Sequence, residues 1–437
     1  MDASEIYRRR CVSAEEAARA VQNGDRVFMS AAGETATLCR ALAARRGELR
    51  NVTVVVSTAR TDFGWFDPGW RDSFAVEVTF ATPPVRAKIN QGLIEYRFEP
   101  AGTCYWKTID ERAEEYPRLD VYFTEVTPPN EKGFCNFGMH CWDKAANIRR
   151  SRIAIAQVNK YLPWIYGDNY IHVSEIDYFV QVDDPLFERP PLETEPAAKA
   201  IAEHVSALVR DGDTIQIGAG SASEATVGFG AFSGKHDLGL HSERCSRGML
   251  NLVRDGIITG KRKNFYPGKA VAGSFASSVE EVTYAAHNPL FHAAPIEWVN
   301  DPRTIASNDN MAAINSALSV DLTGQITAEA IDHRVYSGPG GQTCFAIGAL
   351  LSRGGRFIIV LPSTTSDKKL SRIVPMFNPG TSVTVPRNFA DYVVTEHGVA
   401  RLMGKTLRQR VGELIAIAHP DFRSELRAAA RKLWGIG

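Results

Sequence analysis

The sequence predicts an α/β protein made of two open domains with mainly parallel sheets. Three observations carry that expectation. Short β-rich runs alternate with amphipathic stretches along the whole chain, the pattern of strands joined by crossover helices. The chain has 437 residues, more than one ordinary domain at roughly 150 residues each. A segment rich in proline and acids, DDPLFERPPLETEP (183–196), interrupts the pattern. The boundary is expected near Pro191, giving an N-terminal domain over 1–190 and a C-terminal domain over 191–437.

In chain order, SAEEAARAVQ opens a helix with Ser13 at the N-cap and Glu16 three residues later, a capping-box signature. NVTVVVS (51–57) predicts a buried strand, followed by LDVYFTEV (119–126), RIAIAQVN (152–159) and IDYFVQV (176–182). After the linker, EPAAKAIAEHVSALV has apolar residues at helical spacing, DGDT is a turn and IQIG (215–218) a strand. DLGLH predicts another strand and RGMLNLV a helix. VDLTGQIT (320–327) fits a hairpin around Thr323 and Gly324. FIIVLP (357–362) and DYVVTE (391–396) are further strands, and FRSELRAAARKLW is the final helix.

Composition narrows the function. Apolar residues are 44% of the chain, enough for sizeable cores, and 50 basic against 50 acidic side chains leave a formal charge of +0. That balance argues against a nucleic-acid binder, which carries a basic excess. The start, MDASEIYRRRCVSAEE, lacks the apolar core of a signal peptide, and no apolar run is long enough to span a bilayer. The seven cysteines are odd in number and scattered, as expected of reduced thiols in a cytoplasmic protein. Cys135 and Cys141, with His140 between them, lack a second ligand pair, so no metal site is expected.

Four stretches offer chemistry. In LGLHSERCSRG, Glu243 falls between a strand and a helix, at the carboxyl end where parallel sheets bind ligands; on position alone a solvated loop glutamate is the plainer account. In YSGPGGQTCF (336–345) three glycines and a proline fall within four positions, and the Gly340 and Gly341 N–H groups are free to face an oxyanion. A tight glycine turn explains the same residues. IQIGAGSASEA (215–225) runs from a strand through Gly218, Ala219, Gly220, Ser221 and Ala222 into a helix, a shape that admits a phosphate or pantetheine chain. PSTTSDKKLSRIVP (362–375) offers Thr365, Lys368, Lys369 and Arg372 to phosphates, or is a polar surface loop. Around these, the amides of Gln216 and Gln342 are candidates for orienting a carboxyl. Asn308 and Asn310 shape the cleft or cap a turn. AAGE (31–34) and TPPVRAKINQG (82–92) are candidates for the acid pocket. Arg86, with Arg60 and Arg71, suits a distal carboxylate, and Phe63, Trp65 and Phe66 suit an apolar end wall.

Taken in order, TPPNEKGFCNFG, IAQVNKYLPWIYGDNYIHVSEIDY, LGLHSERCSRG, SNDNMAAINSALSVDLTGQI, YSGPGGQ, LSRIVP, DYVVTEHGVARLMGKTLRQR and IAHPDFR make the sequence resemble the acetyl-CoA hydrolase/transferase family, 4-hydroxybutyrate CoA-transferase-like enzymes in particular. The resemblance runs over nearly the whole chain. It implies a site in the cleft between the two domains and a glutamate nucleophile, which falls on Glu243. It implies a glycine turn against CoA at Gly218–Ala222 and a second turn over the thioester at Gly340, Gly341 and Gln342. The implied reaction moves CoA between short-chain acids through a glutamyl-CoA thioester. CoA thioesters are then substrates, with no permanently bound cofactor, and the protein is expected as a homo-oligomer, a dimer or dimer of dimers. Ser242 and Pro339 depart from the family's usual Thr and Val, and GAGSASE departs from its usual strand turn. A thioester hydrolase and a non-catalytic CoA- or nucleotide-binding protein are the alternatives.

Overall fold

A computed structural model describes residues 2–29, 35–99, 101, 118–186 and 196–436. The β-rich runs assemble into two separate sheets. The first has seven strands: β1 (Arg26–Met29), β2 (Val52–Val56), β3 (Phe74–Val78), β4 (Glu95–Tyr96), β5 (Val121–Val126), β7 (Ile153–Asn159) and β9 (Tyr178–Val182). Their order is β4-β3-β2-β1-β5-β7-β9, and every pairing is parallel. β6 (Phe134–Asn136) and β8 (Tyr170–His172) form an antiparallel pair beside it.

The second sheet has eight strands: β10 (Thr214–Ile217), β11 (Gly239–Arg244), β12 (Ala270–Ser274), β13 (Phe291–Ala293), β14 (Met311–Ser316), β19 (Arg356–Val360), β21 (Tyr392–Thr395) and β22 (Gly398–Arg401). They run in the order β13-β12-β11-β10-β14-β19-β21-β22, parallel except for the closing hairpin β21–β22. The division between the sheets falls after β9 and before β10. Pro191, where the sequence suggests the boundary, lies outside the described residues.

Strand cores such as Val54, Ile155, Ile215, Leu240, Ile314 and Ile358 are fully or almost fully buried, as expected where helices cover both faces of a parallel sheet. Ser13 accepts a hydrogen bond from the Glu16 N–H at 3.1 Å and starts the helix Ala14–Ala18. The helices Ala198–Leu208 and Arg423–Trp434 form where helical spacing predicts them. The hairpin around Gly324 joins β15 (Ser319–Asp321) to β16 (Ile326–Thr327). Gly324 has φ +97°, and the Asp321 carboxylate accepts from the Thr323 and Gln325 N–H groups at 2.9 Å each. A second hairpin, β17 (Ala330–Ile331) and β18 (Arg334–Val335), follows, and β20 (Ile373–Val374) pairs with β15.

The two halves are stitched together next to β12. Cys141 N–H donates to Gly273 O at 3.1 Å, Phe275 N–H to Met139 O at 2.8 Å, and Ala293 N–H to Tyr166 O at 2.7 Å. The His140 imidazole meets Ser274 Oγ at 2.7 Å. The seam thus runs along the strand beside β11, the strand that carries Glu243.

Candidate active site

The strand predicted to stop before Glu243 continues through Arg244. Glu243 is therefore held in the sheet itself, at the last turn of its pleat, rather than in a loop. Gly239–Ser242 are buried, while Glu243 is partly exposed. A rigid strand end fixes a side chain more closely than a loop does.

One Glu243 oxygen is met from two sides. Asn300 Nδ2 donates to Oε2 at 2.8 Å. A Cβ on Gly341 would sit 2.4 Å from Oε2 and 2.5 Å from Asn300 Nδ2, so only glycine fits. Burial pushes the Glu243 carboxyl above its ordinary value; Asn300, the Gly341 N–H and Arg244 pull it back down. Gly341 is the N-cap of the helix Gln342–Leu351, so the carboxylate faces the positive end of a helix dipole. Gly340, with φ +53°, makes the turn that allows this approach.

His241 lies two residues before Glu243 on β11 and is fully buried. Its Nε2 donates to Val299 O at 2.8 Å, and its ring packs against Trp298 and Phe345. Burial, reinforced by the Lys263 charge, pushes the imidazole down to about 3. It is a neutral wedge between the Glu243 strand, the segment bearing Asn300 and the helix that begins at Gly341.

The glycine-rich stretch after β10 lies against the end of β14. A Cβ on Gly218 would strike Asn315 Oδ1 at 2.2 Å, and one on Gly220 would strike Ser316 Oγ at 2.5 Å. Gly218 and Gly220 are thus required by the neighbouring strand. Gln216 and Asn315 exchange amide hydrogen bonds at 2.8 and 3.2 Å, and Gln342 Nε2 donates to Ser316 O at 3.1 Å. Asn315 and Ser316 thereby join the Gly218–Ala222 turn to the residue beside Gly341. Gly220 N–H meets Glu224 Oε1 at 3.4 Å. Beside the turn is a small crevice lined by Ala198, Ile201, Ser221, Ala222 and Pro362.

Other candidates stand apart. Thr365 Oγ1 donates to Asp367 at 2.6 Å, and Lys369, 80% exposed, is 3.8 Å from the same carboxylate. The loop carries them in the open, beyond the carboxyl end of β19. Arg86 lies in the helix Pro83–Asn90, with its guanidinium 3.9 Å above the Tyr336 ring and Nε donating to Ala81 O. Trp65 and Phe66 are buried in the N-terminal core, with Phe63 packed against it, because β2 and β3 present apolar faces there. Arg71 donates to Gly92 O at 2.8 Å. Asn308 and Asn310 precede β14 at its amino end, opposite the site: Asn308 Nδ2 donates to Thr304 O and Asn310 holds φ +54°. They serve turns. AAGE (31–34) lies outside the described residues.

Sequence reasoning passed over Asn300, Ala101, Asn315 and Ser316. Asn300 follows a short apolar helix, Ile296–Val299, as its C-cap, and asparagine is ordinary in such a place. Nothing local marks it as a partner of Glu243, 57 positions away.

Comparison with known proteins gives the family. Residues 1–187 match the acetyl-CoA hydrolase/transferase N-terminal domain and residues 280–430 its C-terminal domain. The chain is 38% identical to the 4-hydroxybutyrate coenzyme A transferase of Clostridium kluyveri, over 99% of this chain and 100% of that one. It is 37% identical to the succinyl-CoA:cyclohexane-1-carboxylate CoA transferase of Geobacter metallireducens, over 98% and 96%. The crystal structure of RipA from Yersinia pestis superposes with a TM-score of 0.92 at 31% identity, covering 99% of each chain. The chain belongs to the acetyl-CoA hydrolase/transferase family.

Proposed function

We propose that Glu243 is the nucleophile with which this CoA-transferase moves CoA between short-chain carboxylic acids. The observation that carries the proposal is the pair of donors on the Glu243 carboxylate, Asn300 Nδ2 on Oε2 and the Gly341 N–H beside it. A carboxylate is a poor base, but it forms an anhydride. Glu243 attacks the acyl-CoA carbonyl, the carbon–sulfur bond breaks and CoA leaves as the thiolate. The thiolate then attacks the Glu243 carbonyl of the mixed anhydride, and the donor acid leaves as its carboxylate. The enzyme now holds a glutamyl-CoA thioester, and an acceptor carboxylate runs the same steps in reverse. This is covalent, ping-pong catalysis.

Attack on the Glu243 carbonyl drives negative charge onto a Glu243 oxygen. The carboxylate already has the Asn300 amide and the Gly341 N–H beside it, so little reorganisation is needed as the charge grows. Gly340 shapes the turn that brings the second donor there. The Gly218–Ala222 turn, its crevice, Thr365 and Lys369 are the proposed CoA contacts, and Gln216 acts through Asn315 beneath them. Gln342 completes the acid side of the proposal; Arg86, the candidate there for a distal carboxylate, lies stacked over Tyr336. The acids are of the 4-hydroxybutyrate and butyrate kind or the succinate and itaconate kind. Two relatives are named for 4-hydroxybutyrate and for cyclohexane-1-carboxylate. In this reading the chain forms domains 1–190 and 191–437 and works as a homo-oligomer in the cytoplasm, a reducing compartment that suits its free thiols.

The test is a transfer assay with mass spectrometry. Incubation with acyl-CoA and no acceptor should leave CoA on the Glu243 peptide, and Glu243→Ala should lose transfer while remaining folded. Full transfer by Glu243→Ala would overturn the assignment. Release of free CoA equally fast with and without acceptor would favour hydrolysis.

A further inference from the structure

The glycine turn that serves Glu243 does not define its own shape. Glycine populates both signs of φ freely, and Gly340 sits at +53°. On its N-terminal side the approach is tied to its own domain by Tyr336 and Ser337 N–H groups donating to Glu329 O at 2.8 and 3.1 Å. Val335 also pairs with Ala330 in the hairpin β17–β18, and the contacts that follow come from the other half of the molecule.

Those contacts follow one another along the chain. Asn90 mimics a backbone partner of Val335, its Oδ1 accepting from the Val335 N–H and its Nδ2 donating to the Val335 carbonyl, both at 2.9 Å. The Arg86 guanidinium lies 3.9 Å over the Tyr336 ring. The Tyr96 hydroxyl donates to Ser337 O at 3.1 Å. Gly338 is pressed so closely that a Cβ would lie 2.6 Å from the Phe80 ring and 3.1 Å from Thr79 O. The Ala101 N–H donates to Gly340 O at 3.1 Å. The next residue, Gly341, presents its N–H to Glu243.

We propose that residues 79–99 and Ala101 of the N-terminal half form a clamp that positions the catalytic glycine turn, with Asn90, Arg86 and Tyr96 as positioning residues. The inference rests on the reading of Glu243 as nucleophile. It gives the N-terminal half a second task besides covering the acid. It also gives Arg86 a task other than pairing with a substrate carboxylate, since its cationic face is committed to Tyr336. The clamp touches no reacting atom. It acts because a hydrogen-bond donor must be held within about 0.5 Å of its productive place, and a glycine chain released from its supports drifts further than that.

Asn90→Ala, Tyr96→Phe and Arg86→Ala test this in the full chain. Asn90 is exposed, so its removal should leave the melting temperature unchanged. Each variant should lose about 10- to 100-fold in kcat, as remote misplacement does, with KM for the CoA thioester unchanged. Formation of the glutamyl-CoA adduct in a single turnover should slow in parallel, and the loss should be the same with butyrate and with succinate as acceptor. Full kcat in both Asn90→Ala and Tyr96→Phe overturns the clamp. A loss in Arg86→Ala confined to succinate also overturns it and assigns that side chain to the acid. Wild type and Glu243→Ala are run alongside. If Glu243→Ala stays active, the nucleophile reading fails and the clamp falls with it; if only the clamp variants behave like wild type, the clamp alone fails.

Discussion

Asn300 Nδ2 donates to Glu243 Oε2 and to Ala101 O, each at 2.8 Å. One amide group therefore ties the candidate nucleophile to the N-terminal half. A hydrogen bond to a charged group contributes about 1.5–3 kcal/mol, and its loss should lower kcat roughly 10- to 100-fold in Asn300→Ala. Asn300→Asp should be worse, because a second carboxylate replaces the donor. The pH–rate profile gives the second check. The acidic limb, where Glu243 must lose its proton, should move to higher pH in both variants, since Asn300 is the largest influence holding that carboxyl down.

Gly340 and Gly341 should respond differently to the same change. In Gly341→Ala the new methyl group would overlap Glu243 Oε2 and Asn300 Nδ2, and transfer should fall by about 1000-fold or more, the upper range for loss of an oxyanion donor. In Gly340→Ala the nearest atom is Glu243 Oε1 at 3.9 Å. That change costs only backbone strain, about 1–2 kcal/mol for an L-residue in the left-handed region. Steady-state kinetics of the two variants, with circular dichroism to verify folding, checks the contrast.

Glu243→Gln should stabilise the protein at neutral pH. Burial raises the native carboxyl above its unfolded value, so the native state binds the proton more tightly. The stability from that preference is complete below the ordinary carboxylate value of 4.5 and is lost as pH rises through the raised native value. Gln has no proton to lose and still accepts from Asn300. The melting-temperature difference, Gln variant minus wild type, should grow with rising pH over this window and then level off. A constant difference would contradict the raised carboxyl.

Glu297 extends the same argument next to the site. Burial, with the Asp143 charge behind it, pushes its carboxyl up to about 7. Wild-type stability should therefore decline between about pH 4.5 and 7. Glu297→Gln should flatten that decline, as seen in urea unfolding across the range.

Lys369 tests the CoA side. It is exposed and only loosely associated with Asp367, so Lys369→Ala should leave kcat alone. KM for the CoA thioester should rise about 2- to 5-fold at low salt, the scale of an exposed charge contact, and the effect should shrink as salt is added. Equal KM values at every ionic strength would remove Lys369 from the CoA site.

The sequence alone determined the α/β class, because strand and helix periodicities are local: Val52–Val56, Ile153–Asn159 and Ala198–Leu208 carry their own patterns. It also drew attention to Glu243 and the Gly340–Gly341 turn, but on position alone a solvated loop acid and a tight glycine turn were the plainer accounts, and the family resemblance singled these residues out. Ser13 and Gly324 were legible because cap and turn signals are local. What joins these pieces was not legible. Asn300 meets Glu243 across 57 positions and Ala101 across 199, and Asn315 pairs with Gln216 across 99. Such contacts depend on which strands become neighbours, and a parallel sheet makes neighbours of segments separated by whole crossover units. Tertiary structure alone decided that Glu243 stays in the strand, where the β12 ladder holds it. It also decided that Gly218 is small because of Asn315, and that Trp65 faces the core.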